Sequence, residues 1–72
     1  MSKKSKREEK IRNNRTNVSL RDFEALVNQY GYIKEGRKHP QVIIGKRVMT
    51  YKKENPVKSV YVNGLLRMID GL

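Results

Sequence analysis

The sequence predicts a small α+β domain in the order helix, three strands, helix, with a basic arm ahead of it. Three observations carry that expectation. Leu20, Phe23, Leu26, Val27 and Tyr30 recur at helical spacing. Val42-Ile43-Ile44 and Val48-Met49-Thr50-Tyr51 are strand-like runs on either side of Gly45-Lys46. Val62, Leu65, Leu66 and Ile69 then repeat at i, i+3, i+4, i+7, a second helical stripe.

Taken in order, residues 1–17 hold one large aliphatic side chain, Ile11, and show no apolar periodicity. They are expected to form a flexible basic arm, disordered or fraying, with some helix supported by the i,i+4 pair of Glu8 and Arg12. Residues 18–72 are expected to be the single folded domain. Ser19-Leu20-Arg21-Asp22 has the pattern of a capping box, with Ser19 as N-cap and an acid three residues on. The helix is expected over about residues 20–30 and to end at Gly31, a residue able to take a positive φ as helices often require there. Tyr32-Ile33-Lys34-Glu35 is a short strand ended by Gly36. Pro40 to Tyr51 reads as a hairpin with Gly45 first in a type II′ turn. That turn sets Ile43 opposite Val48, Val42 opposite Met49 and His39 opposite Lys52. Lys52 to Pro56 is a polar break, and Val57 to Val62 is expected to be extended, as a fourth strand. Asn63 is the expected cap of the last helix, and Gly71 its end.

Charge narrows the partner. The 72 residues hold 17 Lys+Arg against 7 Asp+Glu, a formal net charge of +10. Residues 1–16 carry seven basic and two acidic residues, net +5, and residues 17–72 carry ten and five, again net +5. Within the second block, Lys34 to Lys58 has eight basic residues and two acids, net +6. The folded part is therefore basic in its own right, which favours a polyanionic partner: RNA, DNA or an acidic protein. No apolar run exceeds three residues, so a membrane-spanning helix of roughly 20 such residues is not expected. The basic N-terminus lacks the apolar stretch of a secretory signal, and the chain has no Cys. A cytoplasmic protein is the expectation.

The inventory of reactive groups is short. One His and no Cys do not make a zinc site within one chain. Asp22 and Glu24 are two apart on a helix and so do not share a face. There is no Gly-rich phosphate loop and no G-x-S-x-G elbow. Neither a metal nor a small-molecule cofactor is expected. One reaction class survives. RNA carries its own nucleophile, the 2′-hydroxyl, and internal transesterification needs only a general acid or base and positive charge at the phosphate. His39 is the one side chain of a type that changes charge near neutral pH. Lys34, Arg37 and Lys38 precede it, Lys52 lies opposite, and all four can hold the phosphate backbone. The plainer reading of His39 is an exposed loop residue. Lys34, Arg37 and Lys38 can equally be a solvated strand edge. Arg67 reads either as a phosphate contact or as a surface residue of the last helix.

Three stretches together resemble a family, the HicA-type toxins. Asn28-Gln29-Tyr30-Gly31-Tyr32 looks like the family's opening helix running into Gly and an aromatic. A strand, then Gly36, then His39 is similar to its strand and Gly-Ser/Thr-His turn, with Arg37-Lys38 in place of the single small hydroxyl residue. Val62 to Ile69 is similar to the start of its closing helix. The resemblance implies a fold like the double-stranded-RNA-binding domain, an α-β-β-β-α sandwich. It implies an mRNA interferase, the toxin of a type II toxin–antitoxin pair, which cleaves mRNA without a metal and so blocks translation. It further implies His39 as the catalytic residue, Gly36 as the residue that permits the tight turn, and a HicB-type antitoxin as protein partner. The alternative is a non-catalytic module that binds structured RNA or ribosomes; a DNA-binding accessory protein is a third reading.

Overall fold

The computed structural model describes residues 6–72. The part of the expected arm before Lys6, with Lys3 and Lys4, lies outside the described residues. The chain runs α1 (Lys6–Asn13), α2 (Leu20–Tyr30), β1 (Tyr32–Lys34), β2 (Gln41–Ile44), β3 (Arg47–Thr50) and α3 (Ser59–Asp70). It is a small α+β domain of three helices and one three-stranded antiparallel sheet.

The capping box forms as its residues dictate. Ser19 takes extended backbone angles, and its hydroxyl accepts a hydrogen bond from the Asp22 N–H at 3.1 Å. The first helical N–H of α2, on Leu20, donates to the Asn55 side-chain carbonyl at 3.3 Å. The stripe buries Phe23, Leu26 and Val27. Gly31 ends α2, but with φ of −163°, not a positive φ. Its requirement for glycine is one of space: a β-carbon there would stand 2.0 Å from the Ile43 carbonyl oxygen. The helix turns straight onto the sheet, and β2 passes too close for any side chain.

The sheet order is β1-β2-β3. The hairpin register is the one its turn imposes, with Val42 opposite Met49, Ile43 opposite Val48 and Ile44 opposite Arg47. Gly45 has φ of +60°, while no other described residue has a positive φ, which is the type II′ pattern. Side chains alternate across a strand. Val42 and Ile44 are fully buried against α2 and α3, with Ile33 and Met49 beside Val42. Tyr51 continues this core face past β3. It stacks at a tilt on Phe23, 4.9 Å between centroids, and its hydroxyl donates to Glu24 Oε2 at 2.7 Å.

Two expectations are corrected. The first is the flexible arm: residues 6–13 are helix α1, not a disordered tail. Acids in its first turn and bases in its last match the helix dipole. Ile11 is buried in the common core. Glu8, also buried, accepts hydrogen bonds from the Tyr30 hydroxyl of α2 and from Arg12 Nε at 3.0 Å. Arg12 then reaches Asp70 on α3, with Nη2 at 2.7 Å from Oδ1. The hydrogen bond to Asp70, and Glu8 after it, raise the Arg12 pKa against the opposing effect of burial. One carboxylate and one guanidinium thus pin α1 to both other helices.

The second correction concerns Val57 to Val62. Val57 forms an isolated bridge with Val18 whose N–H···O distance is 2.8 Å, and the extended backbone ends at Lys58. Lys58 is the N-cap of α3, which starts at Ser59, so Asn63 lies inside the helix and does not cap it. The Asn63 side-chain carbonyl instead accepts from Arg15 at 3.0 Å. Val60 and Tyr61 favour strands intrinsically, but Val62, Leu65, Leu66 and Ile69 all bury only as a helix, and burial decides.

Candidate functional site

Helices cover one face of the sheet. The other face is open, and the register defines its rows. Tyr32, Ile43 and Val48 form one row, and Lys34, Gln41 and Thr50 the next. The Tyr51 N–H donates to the Pro40 carbonyl at 3.1 Å, which carries the β2–β3 ladder one pair beyond the strands. Gly36, His39 and Lys52 lie beyond the paired residues, His39 exposed in the bend that joins β1 to β2 and Lys52 exposed just after Tyr51.

The turn presenting His39 is built from residues with definite local reasons. A β-carbon on Gly36 would stand 2.4 Å from the His39 carbonyl oxygen, so the loop closes this tightly only with glycine at that position. Pro40 follows His39 and is buried. A residue before proline is restricted to extended conformations. His39 is therefore exposed but not loosely hung: its carbonyl lies on Gly36 and its neighbour Pro40 is bonded to the fully buried Tyr51.

The sequence-derived residues come together in part. Lys34 lies on the open face by register, Arg37, Lys38 and His39 are exposed in the bend that joins β1 to β2, and Gly36 and Lys52 are exposed just beyond the strand ends. Glu35 is the one acid between Lys34 and Lys53, and Lys53 Nζ pairs with it at 3.2 Å. Among the described residues, Lys34, Arg37, Lys38, Lys46 and Lys52 form no ion pair with a carboxylate. Such positive charge is available to an external anion. Arg67 is exposed on α3 and belongs to none of these rows.

Sequence reasoning did not single out the row of Tyr32, Ile43 and Val48. Tyr32 and Val48 are each 57% exposed although both are large and apolar in body. The signal was present: Tyr32 shares strand parity with Lys34, and Ile43 with Gln41 and His39. Apolar residues on both parities of the hairpin hid which face was core.

Among the described residues, no group of three or more His, Cys, Asp and Glu is placed to hold a metal ion. No described helix is long and apolar enough to cross a membrane. No family model, curated protein or solved structure matches the chain.

Proposed function

We propose that this protein is a small RNA-cleaving toxin of the HicA type, with His39 as general acid or base and Lys34, Arg37, Lys38 and Lys52 as its phosphate-holding groups. The observation that carries the reading is the Gly36–His39 turn. It holds the chain's one imidazole exposed in the same bend as Arg37 and Lys38, and the nearby acid Glu35 is neutralised by Lys53. The order α2, β1, β2, β3, α3 supports the same reading, since an α-β-β-β-α order is what the resemblance implies.

The reaction is internal transesterification. The 2′-hydroxyl oxygen attacks the adjacent phosphorus while its proton passes to a general base. The bond from phosphorus to the 5′-oxygen breaks, and that oxygen takes up a proton. The products are a 2′,3′-cyclic phosphate and a 5′-hydroxyl. General acid–base assistance contributes about 10²–10⁴-fold. The lysines and arginine stabilise charge as it grows on the phosphoryl oxygens. Cleavage of mRNA in the cytoplasm would block translation, and a HicB-type antitoxin with an acidic surface would cover the basic turn.

One observation favours the second reading, a module that binds RNA without cutting it. Among the described residues no side chain hydrogen-bonds the His39 imidazole, whereas a catalytic base is commonly oriented by a third group. Purified protein incubated with mRNA in chelator separates the two. Fragments ending in cyclic phosphate support the nuclease; RNA that is bound but stays intact supports the binding module.

A further inference from the structure

We infer that the open face of the sheet is a platform for single-stranded RNA, with a base stacked on Tyr32 and the backbone led from there toward His39. The inference rests on the RNA-directed reading above and adds the strand state of the substrate and the residue that selects it.

The two rows of this face contain no acid. Lys34 is its charged member, with Lys46 at the adjoining hairpin tip and Lys52 just beyond the end of β3. Each of the seven acids of the chain lies elsewhere in the fold: Glu8 and Glu9 on α1, Asp22 and Glu24 on α2, Asp70 on α3, and Glu35 and Glu54 beyond the strand ends. An acid-free surface with cations at its margins is complementary to a polyanion. It is a poor match for a second copy of a chain with net charge +10.

The apolar row decides between forms of RNA. Tyr32 offers a ring that is more than half exposed, and Ile43 and Val48 continue an apolar strip beside it. Bases inside a duplex are stacked on one another and offer such a strip nothing. Unstacked bases of a single strand pack on aromatic side chains, with phosphates on nearby cations. Rows on one face of a strand repeat roughly every 6.8 Å. Gly36, where the reactive turn begins, is four residues beyond Tyr32, a span of at most roughly 14 Å of extended chain. That span suits a short run of nucleotides along the sheet. The β1 and β2 backbones hold the platform rigid, so little ordering cost falls on the protein.

The test measures fluorescence anisotropy of a labelled RNA 12-mer, as a single strand and annealed into a duplex, with the His39→Ala chain so that RNA stays intact. The single strand should bind at least tenfold more tightly than the duplex. Tyr32→Phe should bind like its parent, and Tyr32→Ala should bind roughly 5- to 150-fold more weakly, the loss of one stacked base. Val48→Glu should also weaken binding, with circular dichroism unchanged because Val48 is exposed. RNA binding that is indifferent to Tyr32→Ala and to strand state would overturn the platform while leaving the basic turn as the RNA site. Sedimentation showing a dimer that Val48→Glu dissolves would overturn it in favour of a second copy. Absence of binding to either RNA form would instead remove the RNA-directed reading on which the platform rests.

Discussion

Gly36 and His39 lie backbone to backbone at the mouth of the β1–β2 connection, so close that a β-carbon on Gly36 would stand 2.4 Å from the His39 carbonyl oxygen. The contact couples a residue without a side chain to the one imidazole of the protein. Gly36→Ala must push the two segments apart and so re-aim His39. Overpacking of this kind typically costs about 1–3 kcal/mol. RNA cleavage is expected to fall at least tenfold, while the circular dichroism spectrum stays native, because the turn is exposed and outside the core. Unchanged cleavage by Gly36→Ala would show that the tight turn does not matter.

The link from α1 to the rest of the domain has its own prediction. Arg12→Ala removes the guanidinium that donates to buried Glu8 at 3.0 Å and to Asp70 at 2.7 Å, and the loss of such charged hydrogen bonds typically costs about 1.5–3 kcal/mol. For a domain of this size each kcal/mol moves Tm by roughly 4–8 °C. Combining Arg12→Ala with Glu8→Gln should recover part of the loss, because the neutral amide still accepts from Tyr30. Ile11→Ala should cost about 2–5 kcal/mol by the cavity it leaves. Urea denaturation of the three variants measures all of this. Midpoints equal to that of the parent would mean that α1 contributes nothing to stability.

Salt dependence reads the number of phosphate contacts. Single-stranded nucleic acid gives a log–log slope of about −0.7 per contact. Four contacts, from Lys34, Arg37, Lys38 and Lys52, give a slope of about −3. Replacing any one by Gln should bring the slope about 0.7 closer to zero. The same change at Lys53, which already pairs with Glu35 at 3.2 Å, should alter it less. Anisotropy titrations between low and moderate salt make the comparison.

Alkaline pH should loosen the fold through two tyrosines. Burial, then the hydrogen bond to Glu24, pushes Tyr51 above the ordinary tyrosine value of 10, and the bond to Glu8 followed by burial does the same to Tyr30. The folded state therefore holds these protons more tightly than the unfolded chain does. Their contribution is complete below pH 10 and is lost as pH rises beyond it. Tm should fall above pH 10, and Tyr51→Phe should make that fall shallower. An equal fall in the variant would remove Tyr51 from the effect.

Much of the architecture is legible in the sequence. The Ser19–Asp22 cap, the α2 stripe, the hairpin register and the buried stripe of α3 all follow from side-chain period and turn chemistry, which are local properties. Helix α1 was not legible because its docking uses one aliphatic residue and a chain of polar contacts from Tyr30 through Glu8 and Arg12 to Asp70; periodicity does not register such contacts. The start of α3 was misread because Val60-Tyr61-Val62 has the composition of a strand, and only tertiary burial of Val62 overrides it. At Gly31 the residue was right and the reason was not: proximity to Ile43, invisible in the sequence, demands it. At the candidate site, the exposed cations and His39 are legible as a basic cluster in the sequence. The exposed row of Tyr32, Ile43 and Val48 needed the knowledge of which sheet face the helices cover.

The most direct test of the central claim compares the parent protein with His39→Ala on one mRNA in chelator, following cleavage and binding in parallel. The account predicts fragments with 2′,3′-cyclic phosphate ends from the parent, cleavage slower by about 10²–10⁴-fold in His39→Ala, and RNA affinity and fold retained. Equal cleavage by both proteins, or intact RNA with the parent, would contradict it.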